Sequence, residues 1–443
     1  MAYGILSCMG KSTITGWLVS CGFQFKDWSA SYKLFSKSRI DNDALFSVVR
    51  NEVVEMNDSK EENIYAHMDD TLFRKRGKKV SGTKWLRDPL GPPFSTNFVW
   101  GQRFLQISLS LYKNSGAVQS KSIPIDLIHC PLPIKPKKGV GDKEISEYKE
   151  QQKKMKLSKI GYERINLLRE NLNKDGHESK NLVMSVDGSY TNETVLKNIN
   201  ENITIIGRIR KDAKLNKLPD PNKIGRKRVY GEPLPTPEEI RQSDDYKWEE
   251  VQAWASGKIH TFNVKIIRNI RWRKSGAKNL QLVIIRPIPY RLTKSSKRLY
   301  RQPIYLICTD PELEIEKLVQ AYLWRWGIEV NFKEQKTVLG CGKAQVRTEE
   351  SCQNVPVFNT AVYSMLLTAA EKEKLEELPR PKWYKKSKES KPTTGDTLNH
   401  FRAATWSKAM SISYSNFINL ENVQRSRKNS ANPSLSAVLY MRK

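Results

Sequence analysis

Acidic residues stand at three points of the chain where they could hold metal ions for chemistry on a phosphate. Asp69 and Asp70 close a β-rich run that begins at residue 63, Asp187 follows the apolar run "NLVMSV", and Glu329 lies in a long predicted helix. Carboxylates at strand ends of a mixed sheet, with one more on a later helix, can hold two Mg²⁺ ions against a scissile phosphate. Each acid taken singly could be a turn or cap residue. That alternative leaves their shared setting unexplained, so the pattern favours a metal-dependent site.

The predicted helix around Glu329 carries a polar stripe on an otherwise apolar surface. Tyr322, Arg325, Glu329 and Lys336 fall within about 60° of one another around the axis, at roughly 100° per residue. A solvated face with an i,i+4 pair between Arg325 and Glu329 would also explain the stripe, and such a pair stabilises a helix by roughly 0.2–0.5 kcal/mol. Considered with the other acids, the stripe indicates a face that needs a carboxylate and tolerates positive charge.

The elements that must position these residues indicate three regions. Residues 1–58 predict a helical N-terminal module, for which a structural cap and a DNA-binding role are equally supported. Residues 59–345 predict an α/β catalytic domain with a β-rich insertion at about 211–300. Residues 346–443 predict a helix and then a basic tail, which from residue 381 onward carries 12 Lys+Arg against 3 Asp+Glu.

The catalytic region alternates between strand and helix patterns, which describes a mixed α/β sheet. The strand patterns cover residues 63–70, 98–112, 122–130, 181–186, 203–210 and 303–310. The longer helix patterns cover about residues 143–173, 311–338 and 352–374.

The composition favours a polyanionic partner. The 443 residues include 76 Lys+Arg against 47 Asp+Glu, a formal net charge of +29. Basic residues recur along the whole chain, and nucleic acid is the partner that such charge favours, because neutralising phosphates releases counterions. No apolar run approaches the length of a membrane span, and the six scattered cysteines have no zinc-ligand spacing. With no secretion signal in the sequence, we expect a cytoplasmic, reducing location.

The stripe also has a fixed internal spacing. Tyr322, Arg325, Glu329 and Lys336 form the pattern Tyr-x2-Arg-x3-Glu-x6-Lys. This pattern resembles the signature of one branch of the DDE transposases of bacterial insertion sequences, with every spacing kept.

The acid motifs of that family are matched as well. Its first motif is similar to "DDTLFRKRG", which gives Asp69 as the first acid, leaves Asp70 as an alternative and includes Lys75. Its second motif, an Asp-Gly after an apolar strand, is similar to "SVDGSY" and gives Asp187. The resemblance covers about residues 10–375 and leaves the basic tail outside.

The resemblance implies a ribonuclease H-like fold and cut-and-paste chemistry, in which water and then a 3′-hydroxyl attack phosphodiesters. It implies that Asp69, Asp187 and Glu329 ligate two Mg²⁺ ions, for which Mn²⁺ can substitute. Some relatives stack an extruded base on a Trp of the insertion. The Trp residues in this region are Trp248, Trp254 and Trp272. Ordinary strand or core positions explain these three residues equally well.

Double-stranded DNA is the implied partner, both as transposon ends and as target. The implied DNA contacts are Tyr322, Arg325, Lys336 and Lys75. A homodimer that holds two ends together, in the cytoplasm of a bacterium, is also implied. A catalytically inactive or repurposed DNA-binding protein derived from a transposase is the alternative that the net charge of +29 equally supports.

Overall fold

The N-terminal part of the protein is helical in the computed structural model. The structure describes residues 1–57, 60–88, 91–92, 94–114, 116–220, 227–293, 295–373 and 392–409, so most of the predicted basic tail lies outside the described residues. The first helices are α1 Ala2–Ser7, α2 Ile14–Ser20, α3 Ser29–Ser36 and α4 Asn42–Met56. In the described ranges, no helix combines the length and the apolar character that crossing a membrane requires.

Strands and further helices follow in alternation. The strands are β1 Asn63–Arg74, β2 Lys84–Arg87, β3 Phe98–Leu111, β4 Lys121–His129, β5 Asn181–Val186, β6 Ile203–Arg208, β7 Leu215–Lys217, β8 Glu249–Ala255, β9 Lys258–Trp272, β10 Leu280–Ile285, β11 Pro289–Tyr290, β12 Leu299–Tyr300 and β13 Ile304–Cys308. The later helices are α5 Asp142–Lys154, α6 Leu157–Lys174, α7 Glu193–Asn198, α8 Pro237–Gln242, α9 Ile315–Trp324, α10 Trp326–Thr337, α11 Glu349–Lys372 and α12 Thr394–Ala409.

One mixed sheet organises the molecule. Its strand order is β2-β3-β1-β5-β6-β13-β10-β9-β7, with β4 beside β3 and β8 beside β9. Strands β1, β5 and β6 are parallel neighbours, whereas β3 and β13 flank them in antiparallel pairing. The predicted mixed α/β class is confirmed, and the sheet with its helices is consistent with a ribonuclease H-like nuclease fold.

Both faces of the central strands are covered, which explains why their sequences are almost continuously apolar. Side chains alternate along a strand, so Ile64, Ala66 and Met68 point into a large core that also contains residues of α2, α4, α6 and α11. Tyr65 points the other way, into a second core built with Val183 and residues of α9. The sheet therefore has one face toward the N-terminal helices and one toward α9.

The strands predicted at residues 211–300 extend this sheet. Strand β10 pairs with both β9 and β13, which joins the region to the central strands through β6. Only β11 and β12 stand apart among the described strands, as a separate two-stranded ribbon. This connection could not be read from local patterns, because β13 follows the whole region in sequence.

The strand that carries Asp69 and Asp70 is longer than the sequence indicates. The prediction that these two acids end their strand is wrong, because β1 continues its antiparallel pairing with β3 as far as Arg74 opposite Gly101. Its parallel pairing with β5 stops earlier, at Met68 opposite Val186. Asp69 is thus the first residue of β1 without a partner on the β5 side.

Candidate functional site

Two of the predicted acids lie on one face of the sheet. Tyr65 and Asp69 share a face of β1 because side chains alternate along a strand. On β5, Val183 belongs to the same core as Tyr65 and Ser185 donates to Ala321 O of α9, so both face α9, and Asp187 is the first residue after this strand. Since Met68 pairs with Val186, the two acids follow neighbouring paired residues. This is the face against which α9 packs.

Arg325 joins two of the acids. Its Nη1 donates to Asp69 Oδ2 at 2.9 Å and its Nη2 donates to Glu329 Oε1 at 3.3 Å. The Arg325 side chain is 13% exposed, and those of Asp69 and Glu329 are 20% and 36% exposed. Asp187 also interacts electrostatically with the other three groups. The structure therefore brings together Asp69, Asp187, Arg325 and Glu329.

Two of the acids, Asp69 and Glu329, have pKa values raised above their ordinary values. Burial raises the pKa of Asp69 to about 6, and the charges of Asp70 and Asp187 act in the same direction, against Arg325. Burial also raises the pKa of Glu329, again with Arg325 opposing the shift. A single guanidinium thus does not offset the desolvation of these carboxylates, and a further cation at this point would stabilise their ionised forms.

The polar stripe spans two helices, where the sequence predicts one. The predicted helix at 311–338 is interrupted at Arg325, which ends α9 and begins α10. The carbonyl of Ala321 accepts a hydrogen bond from Ser185 Oγ at 3.1 Å, and the Arg325 N–H turns to Tyr322 O at 3.3 Å. Gly327 follows closely against β4, where an added Cβ would lie 2.7 Å from the Cβ of Ser122.

Asp70 points to the opposite face of the sheet from Asp69. Its Oδ1 accepts a hydrogen bond from the Tyr190 hydroxyl at 2.9 Å, and its Oδ2 lies 3.5 Å from Arg103 Nε. Burial raises the pKa of Tyr190, and Asp70 reinforces this shift as charge and as acceptor. Asp70 is therefore engaged in the core on the side of the N-terminal helices, away from Arg325.

The other two residues of the stripe also face β1 and its neighbours. Lys336 Nζ donates to Thr71 Oγ1 at 2.6 Å, and Thr71 is two residues beyond Asp69 on the same face. Burial lowers the pKa of Lys336. Tyr322 packs beside the α9 core, where burial raises its pKa while Arg325 and Arg208 oppose the shift. The stripe thus lies along the edge of the acid cluster.

Lys75 is placed apart from this group. It is 6% exposed, and its Nζ donates to Gly342 O at 2.7 Å and to Ala344 O at 2.8 Å. Burial lowers its pKa. These contacts give Lys75 a structural role in holding the turn after α10, and its predicted DNA contact remains a prediction.

Replacing Lys75 by Met is therefore expected to act on stability. Loss of two hydrogen bonds made by a charged donor should lower the free energy of unfolding by about 1–3 kcal/mol, because the carbonyls of Gly342 and Ala344 lose their partner. Denaturant unfolding measures this change, with the exposed neighbour Lys79→Met as control. An unfolding free energy equal to that of the control would contradict the structural role.

The Trp residues of the predicted insertion are all at least partly covered. Trp248 lies under two cations, with Lys265 Nζ 4.6 Å and the Arg286 guanidinium carbon 5.7 Å from its ring centroid. Trp272 is 6% exposed in the core, and Trp254 is half-buried on β8 beside α9.

The donor chemistry of the acid cluster fits a hard divalent cation. Asp69, Asp187 and Glu329 offer only carboxylate oxygens, which Mg²⁺ and Mn²⁺ prefer. In the part of the chain that the structure describes, however, no group of three His, Cys, Asp or Glu side chains is already arranged as a metal site. Arg325 stands between Asp69 and Glu329 and supplies the positive charge there.

Sequence reasoning missed the polar residues that support the site. Ser185 fixes the helix break, Thr71 receives Lys336, and Tyr190 holds Asp70 on the far face. One of them left a signal, because Ser185 is the single hydroxyl within the apolar run "NLVMSV". A buried polar side chain needs a hydrogen-bond partner, so a buried strand containing one predicts a contact to another element.

Comparison with protein families identifies a family that the chain matches. The model of the DDE superfamily endonuclease family matches residues 2–279, which is more than half of the chain. The matched residues include Asp69 and Asp187 and end before α9 and Glu329. A search of curated proteins found no match.

Proposed function

Because the chain belongs to the DDE superfamily of endonucleases, whose substrate is DNA, we propose that it is a transposase of the branch with the Tyr-x2-Arg-x3-Glu-x6-Lys signature. It would cut DNA at the ends of an insertion sequence and join those ends to a target. The observation that carries this proposal is the Arg325 bridge, which brings Glu329 from α10 to Asp69 on β1. Two-metal chemistry on a phosphate requires carboxylates that lie close together, and the helix with the signature brings one carboxylate to the acids of the sheet.

The three acids on the α9 face are the proposed metal ligands. Asp69, Asp187 and Glu329 would hold two Mg²⁺ ions, with Mn²⁺ able to replace them. When bound, such ions supply activation of the attacking oxygen and stabilisation of the leaving oxygen. The raised pKa of Asp69, about 6, is consistent with a carboxylate placed where further positive charge is needed.

The cations of the stripe are proposed to bind the DNA backbone. Arg325 has a planar fork that suits phosphate, and Lys336 offers a point charge at the same edge. Arg325 is held by Asp69 and Glu329. We infer that these contacts keep the guanidinium in place beside the acids, where it could bind a phosphate of the DNA backbone. Tyr322 would line the same contact.

The proposed organisation has three parts. Residues 1–58 would form a DNA-binding module and residues 59–345 the catalytic domain. Residues 346–443 would form a C-terminal region that contains α11, α12 and the basic tail. Helix α11 packs against α4 and β4, which supports a rigid connection between the first part and the sheet. A homodimer is proposed because two transposon ends must be held together for joining.

Product analysis tests the proposal against its alternatives. A supercoiled plasmid carrying the native element is incubated with the protein, a target plasmid and Mg²⁺. We expect excised element and joined target products, and neither with Asp187→Asn. Cleavage without joined products would indicate a nuclease that does not transpose. DNA binding without cleavage would favour the repurposed DNA-binding protein.

A further inference from the structure

A basic two-stranded ribbon projects between two strands of the main sheet. Residues 286–303 contain six Lys+Arg and no acidic residue. Strands β11 and β12 pair in antiparallel fashion, and the Arg301 N–H closes the base of the ribbon by donating to Ile288 O at 2.9 Å. Leu292, near the turn, is 76% exposed. The ribbon is thus a defined element with most of its surface in solvent.

Each face of the ribbon carries an Arg–Tyr pair. Tyr290 lies opposite Leu299, so by alternation it shares a face with Arg301, whose guanidinium carbon is 5.5 Å from its ring centroid. Tyr300 is on the other face, with Arg298 at 5.6 Å from its ring. Such stacking orients a guanidinium plane and limits its freedom. The positive charge is therefore presented in two opposite directions.

The ribbon stands on the edge of the sheet where the acids lie. Asp187 directly follows Val186, the last residue of β5, and Val186 pairs with Gly207 on β6. The next residue of β6, Arg208, pairs with Leu306 near the start of β13. The first residue of β13, Ile304, pairs with the last residue of β10, Ile285, and the ribbon connects these two strand ends. At about 4.8 Å per strand, the ribbon is displaced from β5 by roughly 10–15 Å. Arg208, exposed, lies between them.

We propose that the ribbon, as described over residues 286–293 and 295–303, lies in a groove of duplex DNA beside the acidic site, with one Arg–Tyr pair facing the phosphates of each strand. A major groove about 12 Å wide admits a two-stranded ribbon. Charge on a single face would suit a flat contact, whereas charge on both faces suits a channel bordered by phosphates on both sides. The displacement of the ribbon from β5 is about one groove width, so one duplex reaches both sites. This inference rests on the proposed function.

The salt dependence of DNA binding tests the ribbon directly. Arg298→Gln with Arg301→Gln removes two charges from an exposed element, and Lys60→Gln with Lys174→Gln removes two charges from exposed positions at the opposite sheet edge. Binding of a linear mixed-sequence duplex is measured without divalent metal at several salt concentrations. Each lost phosphate contact should reduce the slope of log K against log[salt] by about 0.9. We expect a reduction of about 1.8 for the ribbon variant and none for the control.

The outcomes separate this inference from the proposed function. Equal slopes for the wild type and the ribbon variant, or equal reductions in both variants, would overturn the ribbon contact while leaving DNA cleavage by the wild type intact. Absence of DNA binding and of cleavage by the wild type would overturn both. Thermal unfolding of each variant confirms that the comparison is made between folded proteins.

Discussion

Asp69→Asn is expected to reduce metal-dependent DNA cleavage by at least about a thousandfold, which corresponds to about 4 kcal/mol of transition-state stabilisation. Asp69 lies on the α9 face, where Arg325 joins it to Glu329. Asparagine keeps the size of the side chain and removes the charge that a divalent cation needs. Initial rates of plasmid cleavage with Mg²⁺ measure the effect.

The adjacent acid is the matched control. Asp70→Asn keeps an oxygen that can accept from the Tyr190 hydroxyl on the opposite face of β1, so we expect cleavage within about tenfold of the wild type. The two variants make the same chemical change at neighbouring residues that lie on opposite faces of β1, so a difference in cleavage between them reports which face carries the site. A strong loss of cleavage with Asp70→Asn, together with normal cleavage by Asp69→Asn, would reverse the assignment of the first acid.

Arg325→Ala is expected to have opposite effects on metal binding and on cleavage. Without the guanidinium, the carboxylates of Asp69 and Glu329 lose their present partner, so Mn²⁺ should bind the DNA-free protein about tenfold more tightly, a change of about 1.4 kcal/mol. Cleavage should still fall by about 10²–10³, because a positive group positioned for the phosphate is lost. Calorimetric titration with Mn²⁺ and plasmid cleavage measure the two effects.

A second arginine–carboxylate pair provides the control for Arg325. Arg241 forms an ion pair with Glu238 at 2.6 Å in α8, away from the acid cluster. Arg241→Ala should leave both Mn²⁺ affinity and cleavage unchanged. Weaker metal binding by Arg325→Ala would show that the guanidinium supports the metal site and does not compete with it.

The choice between Asp69 and Asp70 shows where sequence reasoning stops. Period-two alternation already places the two acids on opposite faces of β1. Both faces of this strand are buried, however, so the apolar pattern does not distinguish the face of α9 from that of the N-terminal helices. That choice depends on the packing of a helix more than 200 residues away in the chain.

Local patterns were most reliable for the existence of the elements and least reliable for their ends. Strand β1 extends to Arg74 because β3 supplies a partner there, and the helix breaks at Arg325 where Ser185 engages Ala321 O. Each boundary is set by a residue from a distant segment. Lys75 illustrates the same limit. Its charge predicts contact with solvent or DNA, whereas its ammonium group donates hydrogen bonds to two carbonyls of the turn after α10.

The central claim is that Glu329 reaches from α10 to the sheet acids and completes their site. Glu329→Gln and Glu334→Gln make the same chemical change on one helix. Glu334 accepts hydrogen bonds from Tyr363 and Thr394, contacts that glutamine can keep. Excision of the native element from a supercoiled plasmid with Mg²⁺ or Mn²⁺ is the measurement. We predict excision by the wild type and Glu334→Gln and none by Glu329→Gln, whereas excision by Glu329→Gln at the wild-type rate would contradict the account.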